Sequence, residues 1–431
     1  MTVLARRTSP QRLFDQLRDR LGGLVPDPKR RAGATGVDAW YPYYAGFSSD
    51  FANAVLREIP RGSIVLDPWN GSGTTTTAAA RLGLRSYGVD LNPFASLIAQ
   101  AKTVSFASPA DAVEFGQRAL GCTSSVRGPS TAGDLSRWIS QSLARRFVSL
   151  GAAIVESEDV AWPPDPRRAF AMLALVRAVR CVSPPKSGSN PTWFRPPRRR
   201  KQPSRDLAEE FLKVVHSLAA DGMLLAEPEN SPRILVGDAR ALPIQNGGVD
   251  VVLTSPPYCT RIDYAASTAF ELACLAAVTS RSDAGSLRRE LMGTTMIRTR
   301  APHPIPDNWA PSVRSLLEQI RSHGSYASSG YYFKNFWQYF NDAHLALGEI
   351  ARALRRGGVA VLVLQTSFYK ELLIDLPALY TEIGEAHGLH GGVVVKRNLP
   401  SSRVMASLHP KARRNRVGRH YEESVLLLEK P

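Results

Sequence analysis

Short apolar runs and amphipathic stretches alternate in two separated parts of the chain. Ser63-Ile64-Val65-Leu66 has the length of a buried strand and ends at Asp67-Pro68. A Gly/Ser/Thr turn follows, and Thr75 to Leu82 then has helical spacing. Arg85 to Val89 reads as a second strand ended by Asp90, and Pro93 to Lys102 as a second helix. Strand, glycine turn, helix and strand form the βαβ pattern of an α/β fold. The rhythm breaks from about Val104 to Asn230, where the spacing predicts helices over Asp134–Leu150, Arg167–Val182 and Asp206–Ala220. Ser183 to Ser204 is loaded with Pro, Gly, Ser and Arg and reads as an irregular basic loop. Strands are expected again at Arg233–Val236 and Val249–Leu253, followed by a stretch of mixed polarity to about Gly330. Phe333–Leu354 has the pattern of a long amphipathic helix stopping at Gly357-Gly358. Val359–Leu364 is a wholly apolar strand, and Val393–Lys396 and Ser424–Leu428 are the last two strands. No internal repeat is visible.

Composition narrows the class. With 431 residues, 44% of them hydrophobic, the chain buries a sizeable core and is not globally disordered. Cys122, Cys181, Cys259 and Cys274 form no CxxC pair, which argues against a disulfide scaffold or zinc ribbon and fits a reducing compartment. No run of about 18 apolar residues offers a membrane span. Met1 to Val25 is amphipathic and Arg-containing, lacks a secretory apolar core, and carries Asp15 and Asp19, which weaken a transit-peptide reading. The histidines, including His387 and His390 at an expected helix end and turn, have no metal-ligand spacing, so no metal is expected. The formal charge of +16 has two readings: a polyanionic partner such as nucleic acid, or an Arg-rich solvated surface.

The candidate chemistry begins at Asp67-Pro68-Trp69-Asn70-Gly71-Ser72-Gly73-Thr74-Thr75. The turn sits at the carboxyl end of one strand and opens a helix, the place where open α/β sheets bind ligands. Gly71 and Gly73 allow close backbone approach, and the helix start offers N–H groups. A phosphate loop needs Gly-Lys-Ser/Thr, and no Lys follows Gly73. A dinucleotide fingerprint needs a third glycine where Thr76 stands. A nucleoside without pyrophosphate remains, with Asp90 at the second strand tip placed for ribose hydroxyls. An ordinary capped turn is the plainer alternative.

A second motif, Thr254-Ser255-Pro256-Pro257-Tyr258, ends another buried strand. Two prolines fix φ and remove two donors, so the stretch is rigid and presents carbonyls. Ser255 and the Pro256 carbonyl could grip an exocyclic amino group while Tyr258 offers a ring to stack, which suits a flipped base. In isolation, a Pro-Pro loop with a packed tyrosine explains it as well.

Taken together, the two motifs resemble those of the amino-group DNA methyltransferases, which use S-adenosylmethionine and methylate cytosine N4 or adenine N6. The resemblance covers about half of the chain. It implies an α/β fold: a Rossmann-like class I methyltransferase sheet with helices on both faces, plus inserted mainly helical and irregular regions. It further implies that Trp40-Tyr41-Pro42-Tyr43-Tyr44 to Phe47-Ser48-Ser49-Asp50-Phe51 precedes the glycine turn as a cofactor motif. Phe47 would then line the methionine end. Asp67 would meet the amino group, Asp90 the ribose and Asp238 in Gly237-Asp238-Ala239 the adenine, with Pro68, Asn70, Gly71, Gly73, Thr74, Leu91 and Ala239 completing the cofactor set. S-adenosylhomocysteine would be the product. Ser255 to Tyr258 would be the catalytic tetrapeptide. Trp69 stands where the family usually has Phe. Ser at position 255 leans toward cytosine N4 by family tendency.

The expected layout is an N-terminal extension (1–36), a discontinuous core (37–104 and 231–431), an inserted helical and basic-loop region (105–230) as candidate target-recognition region, and a second insertion (262–330). In the expected chemistry, Ser255 Oγ and the Pro256 carbonyl accept the two amine N–H bonds and aim the nitrogen lone pair, so alignment rather than a strong base carries the reaction. Cys259 has no evident activator and reads as a packing residue. Arg261 and Asp263 either brace the loop or place Arg261 on a phosphate. Arg198, Arg199, Arg200 and Lys201, and Lys411, Arg413, Arg414 and Arg416, are read as contacts to double-stranded DNA, against a solvated-surface alternative, and Trp193 beside the first cluster as a ring for wedging or stacking on bases, against core packing. The candidate partners beyond DNA are a cognate restriction endonuclease or defence-system subunits, with no membrane. The candidate location is a prokaryotic cytoplasm, at the nucleoid. An RNA base methyltransferase and an idle DNA-binding subunit are the competing functions.

Overall fold

A computed structural model describes residues 12–24, 26–28, 35–43, 47–122, 133–155, 162–187, 194–197, 205–222, 230–259, 264–279, 284–298, 304–399 and 420–431. Its centre is a seven-stranded sheet of β1 (Ile64–Asp67), β2 (Arg85–Asp90), β3 (Arg233–Val236), β4 (Val249–Thr254), β5 (Leu354–Gln365), β6 (His390–Leu399) and β7 (Tyr421–Glu429). Across the sheet the order is β3-β2-β1-β4-β5-β7-β6. The first five strands are parallel, and β7 pairs antiparallel with both β5 and β6. The run 3-2-1-4-5 is the Rossmann order, with its switch point between β1 and β4. This is a Rossmann-like sheet with helices on both faces, as the resemblance implies.

Side-chain alternation divides the core. Val65, Val251, Leu253, Val359, Val361, Val363, Val425 and Leu427 pack with the Leu13–Leu24, Ser49–Arg57 and Thr74–Arg81 helices. Leu66, Val252, Ala360, Leu362, Leu364, Leu426 and Leu428 pack on the other face, under Pro311–Ser322, Phe333–Ala353 and Leu376–Ala386. The unbroken apolar run in β5 is thus a strand buried on both faces. A third core joins Trp40, Tyr41 and the Pro93–Ala101 helix to Pro109–Gly121, Gln141–Val155, Pro166–Val182, Leu207–Ala220 and Ala269–Thr279. The two stretches that interrupt the βα rhythm therefore meet in one helical body.

Several elements differ from expectation. Asp134–Leu150 is not one helix: a short 3-10 turn (Gly133–Arg137) gives way to a helix starting at Gln141. Ser140 makes the break, because its Oγ accepts the Leu143 N–H at 3.4 Å as a helix cap. β5 begins at Leu354 rather than Val359. Its pairing jumps from Val249↔Leu354 to Val251↔Val359, so Arg355–Gly358 bulge out and hide the strand start in the sequence. β6 outruns Val393–Lys396 because it pairs along its whole length with β7, whatever its polarity. The Ser183–Ser204 stretch includes a small ladder of Lys186–Ser187 with Phe194–Arg195. The Ala269–Thr279 helix escaped notice because it is buried nearly all round and shows no polar stripe.

Candidate active site

β1 and β4 lie side by side, Val65 opposite Val251 and Leu66 opposite Val252, so their carboxyl ends emerge together at the switch point. Asp67 ends β1 and is 1% exposed. Its Oδ1 accepts Thr254 Oγ1–H at 2.6 Å and the Trp69 N–H at 3.1 Å, and its Oδ2 accepts Thr75 Oγ1–H at 2.7 Å. One carboxylate thus ties the glycine turn, the helix it opens and the Thr254–Tyr258 stretch. Burial lifts the Asp67 carboxyl from 3.8 to about 6 against these hydrogen bonds.

The turn itself is shaped by close packing. Asn70 is buried over Gly88 of β2, where an added Cβ would lie 2.4 Å from the Asn70 side chain. Its Oδ1 accepts Thr76 Oγ1–H at 3.1 Å, while its Nδ2 is buried without a hydrogen-bond partner among the described residues. Gly73 has φ +83°, and a Cβ there would meet Ala99 Cβ at 2.9 Å. Gly71 has φ +50° and lies under the Tyr43 ring. The glycines therefore serve the left-handed turn and close packing of protein on protein. Gly73 occupies the N-cap position and supplies no side-chain cap, which leaves the first-turn amides of the helix for other acceptors. Thr74 and Pro68 are buried beside them.

Asp90 ends β2 beside this turn. It accepts the Gly71 N–H on Oδ2 and the Asn92 N–H on Oδ1, both at 2.8 Å, and burial raises it to about 6. Leu91 follows, half-buried, and Ala239 is buried. Phe47 is buried edge-to-face with Phe51, the ring centroids 6.1 Å apart. Asp238 is engaged by Arg240, whose guanidinium and backbone N–H both bond it at 2.6–3.0 Å. Arg240 also reaches the buried Asp342 at 2.9 Å, and Arg298 grips the same carboxylate at 2.6 Å. Asp238 thus faces a guanidinium, a partner the sequence did not announce.

The Ser255–Tyr258 stretch is braced on several sides. Ser255 Oγ lies 3.3 Å from both the Val363 carbonyl and Tyr258 Oη, and its one proton serves either. Tyr339, from the long helix, donates to the Pro257 carbonyl at 2.9 Å. Ser367 donates to the Cys259 carbonyl at 3.2 Å. Cys259 is buried, and burial pushes its thiol well above the ordinary range, as expected of a packing residue. Gly293 backs onto Pro257 and Tyr258. Its segment is held to one face of the long helix by Asn335, which donates to Thr294 O, and by Gln338, which donates to Met296 O. Sequence reasoning missed Thr75, Thr254, Gly88, Tyr339, Arg240 and Asp342. Of these, only the two threonines sat inside quoted motifs.

Trp193, Arg198, Arg199, Arg200, Lys201, Arg261, Lys411, Arg413, Arg414 and Arg416 lie outside the described residues. Among the described residues no cluster of His, Cys, Asp and Glu could hold a metal, and no helix is long and apolar enough to cross a membrane.

The donor set fits S-adenosylmethionine. Asp90 at the tip of β2 suits its ribose hydroxyls, and the uncapped helix start supplies N–H donors; Asp67, 1% exposed and bonded through both oxygens, orders the turn rather than meeting the amino group. A Rossmann-like sheet carrying this turn beside a rigid Ser-Pro-Pro-Tyr stretch is the arrangement that the resemblance implies. The resemblance to the amino-group DNA methyltransferases holds. Residues 52–101 match the family model described as DNA methylase. The chain is 25% identical over 278 residues to the type II methyltransferase M.BsoBI of Geobacillus stearothermophilus, covering 56% of this chain and 52% of that relative. It is 38% identical over 80 residues to the type II methyltransferase M.MjaII of Methanocaldococcus jannaschii, covering 18% of this chain and 14% of the relative. It is 20% identical over 414 residues to the type II methyltransferase M.MvaI of Kocuria varians, covering 89% and 87%. The chain thus spans about half the length of the Geobacillus relative.

Proposed function

We propose that this chain transfers a methyl group from S-adenosylmethionine to the exocyclic amino group of a flipped DNA base, cytosine N4 ahead of adenine N6. The setting would be restriction-modification, defence or epigenetic marking in a prokaryotic cytoplasm. The observation that carries the reading is the 2.6 Å bond from Thr254 to Asp67, which locks the cofactor turn and the Ser-Pro-Pro-Tyr stretch into one crevice.

S-adenosylmethionine would supply an electrophilic methyl on its sulfonium and leave as the neutral thioether S-adenosylhomocysteine, with one amine proton lost to water. The amine of a nucleobase is a poor nucleophile, because its lone pair is delocalised into the ring. When Ser255 donates its own proton to the Val363 carbonyl, its oxygen lone pairs are left to accept from the amine. The Pro256 carbonyl accepts the second amine N–H. Two acceptors draw the nitrogen toward tetrahedral geometry, and the Pro-Pro backbone, held by Tyr339, keeps them fixed. Tyr258 covers the base face. Asp90 accepts from the ribose hydroxyls, and Asp67 keeps the turn in register with Ser255.

This account makes a pH prediction of two opposite signs. In the folded state both Asp67 and Asp90 titrate near 6. In the unfolded chain they titrate near 3.9, so the native state holds more protons between about pH 4 and 6. These two groups therefore favour folding more as pH falls through that window, and less as it rises through 6. Cofactor affinity runs the other way, since Asp90 accepts from ribose only when ionised. Calorimetry with S-adenosylhomocysteine should show Kd rising by up to about tenfold per pH unit below 6. A Kd unchanged down to pH 5 would remove Asp90 from the cofactor set.

The function is tested by incubating the protein with labelled S-adenosylmethionine and either duplex DNA or tRNA. Label is expected in duplex DNA. Label only in tRNA would establish the RNA reading, and none in either would leave an idle subunit.

A further inference from the structure

Among the described residues, only two non-glycine residues have positive φ: Ala327 at 63° and Lys370 at 51°. Such backbone is costly for residues with a Cβ, and it collects where function needs a fixed shape. Both sit in turns that touch. Ser325 Oγ is 3.1 Å from Tyr369 Oη, and Ser328 Oγ bonds the same hydroxyl. His323 Nδ1 accepts the Ser325 N–H at 3.0 Å, which leaves its Nε2 to donate to Glu371 at 2.6 Å. The Tyr332 and Phe336 rings pack on Tyr369, centroids 5.2 and 5.5 Å away. The turn at 323–328 and the Ser367–Ile374 hairpin are thus one braced unit.

That unit stands at the catalytic edge of the sheet. The hairpin continues directly from the carboxyl end of β5, and its Ser367 holds the carbonyl of Cys259, next to Tyr258. At the tip of the braced turn, Tyr326 is 94% exposed. A bare aromatic ring on a braced turn at this edge is free to stack on a base. Lys370, exposed on the adjoining tip, adds a positive charge suited to a phosphate.

We propose that Tyr326 is the side chain that enters the DNA stack and fills the gap left by the flipped base, with Lys370 on the flanking phosphate. The inference rests on the function proposed above. A flipped base must be unpaired and unstacked, and an aromatic ring inserted in its place offsets that cost. Fixing the turn beforehand limits the loss of freedom on binding to the ring's own rotation.

The test uses the full chain and a duplex containing its modified site, mapped by sequencing the product of the wild-type reaction. The target base is either correctly paired or placed opposite a mismatch, which makes flipping easier. Tyr326→Ala is expected to lose about tenfold or more in kcat/KM on the paired duplex and to come within about twofold of wild type on the mispaired one. Tyr326→Trp should keep activity on both, and both variants should bind S-adenosylhomocysteine as wild type does. Equal loss on the two duplexes, or no loss on the paired one, would overturn the assignment. A wild-type protein that methylates no DNA at all would instead refute the proposed function.

Discussion

Replacing Asp67 with alanine is expected to end methyl transfer and to destabilise the fold. The change strips the acceptor from Thr254 and the Trp69 N–H and leaves Thr75 to the Leu253 carbonyl at 3.0 Å. Each bare buried donor costs about 1–3 kcal/mol. Part of that is offset, because the ionised carboxyl is itself unfavourably buried, as its rise from 3.8 to about 6 shows. The net loss expected in urea denaturation at pH 7 is about 1–3 kcal/mol. The functional loss is larger, since the glycine turn and Ser255 no longer share an anchor. Even a 1 Å misplacement costs about 10²-fold. Asp67→Asn keeps one oxygen acceptor and should retain more of both. An Asp67→Ala protein with wild-type stability and turnover would show that the Thr254 bond anchors nothing.

The second large effect is at Ser255. Ser255→Ala should lower kcat by about 10²-fold, because one of two acceptors that orient the amine is gone. The fold should persist, as Ser255 is half-buried and its two hydrogen bonds are long, at 3.3 Å. Calorimetric binding of S-adenosylhomocysteine should be unchanged. Full turnover by this variant would sink the two-acceptor grip.

The central βαβ unit was legible because its signals are local: an apolar run closed by Asp67-Pro68, a glycine turn, a helical spacing, and a second run closed by Asp90. The structure returns these elements with ends shifted by a residue or so. What the sequence hid is of three physical kinds. Bulged and edge strands, such as β5 before Val359 and the outer parts of β6, are made by pairing rather than by pattern. The Ala269–Thr279 helix is buried on most sides and so lacks the stripe that marks a surface helix.

The third kind is long-range contact. Asp67 and Asp90 could be chosen because strand ends are places for ligands. That Asp67 answers Thr254, 187 positions away, depends on the β1–β4 pairing. The grip of Arg240 and Arg298 on Asp342 likewise brings together parts of the chain that no local spacing joins. Tyr326 looked like one more aromatic in a stretch of mixed polarity. Its exposure and its braced turn are properties of the fold.

The central claim is that the Ser255–Tyr258 stretch presents an exocyclic amine to S-adenosylmethionine. Its most direct test is nucleoside analysis of duplex DNA after reaction with labelled S-adenosylmethionine. The account predicts label in N4-methylcytosine or, if adenine is the target, in N6-methyladenine. Label in a ring-carbon product such as 5-methylcytosine, which calls for a thiolate that the buried Cys259 does not offer, would contradict it.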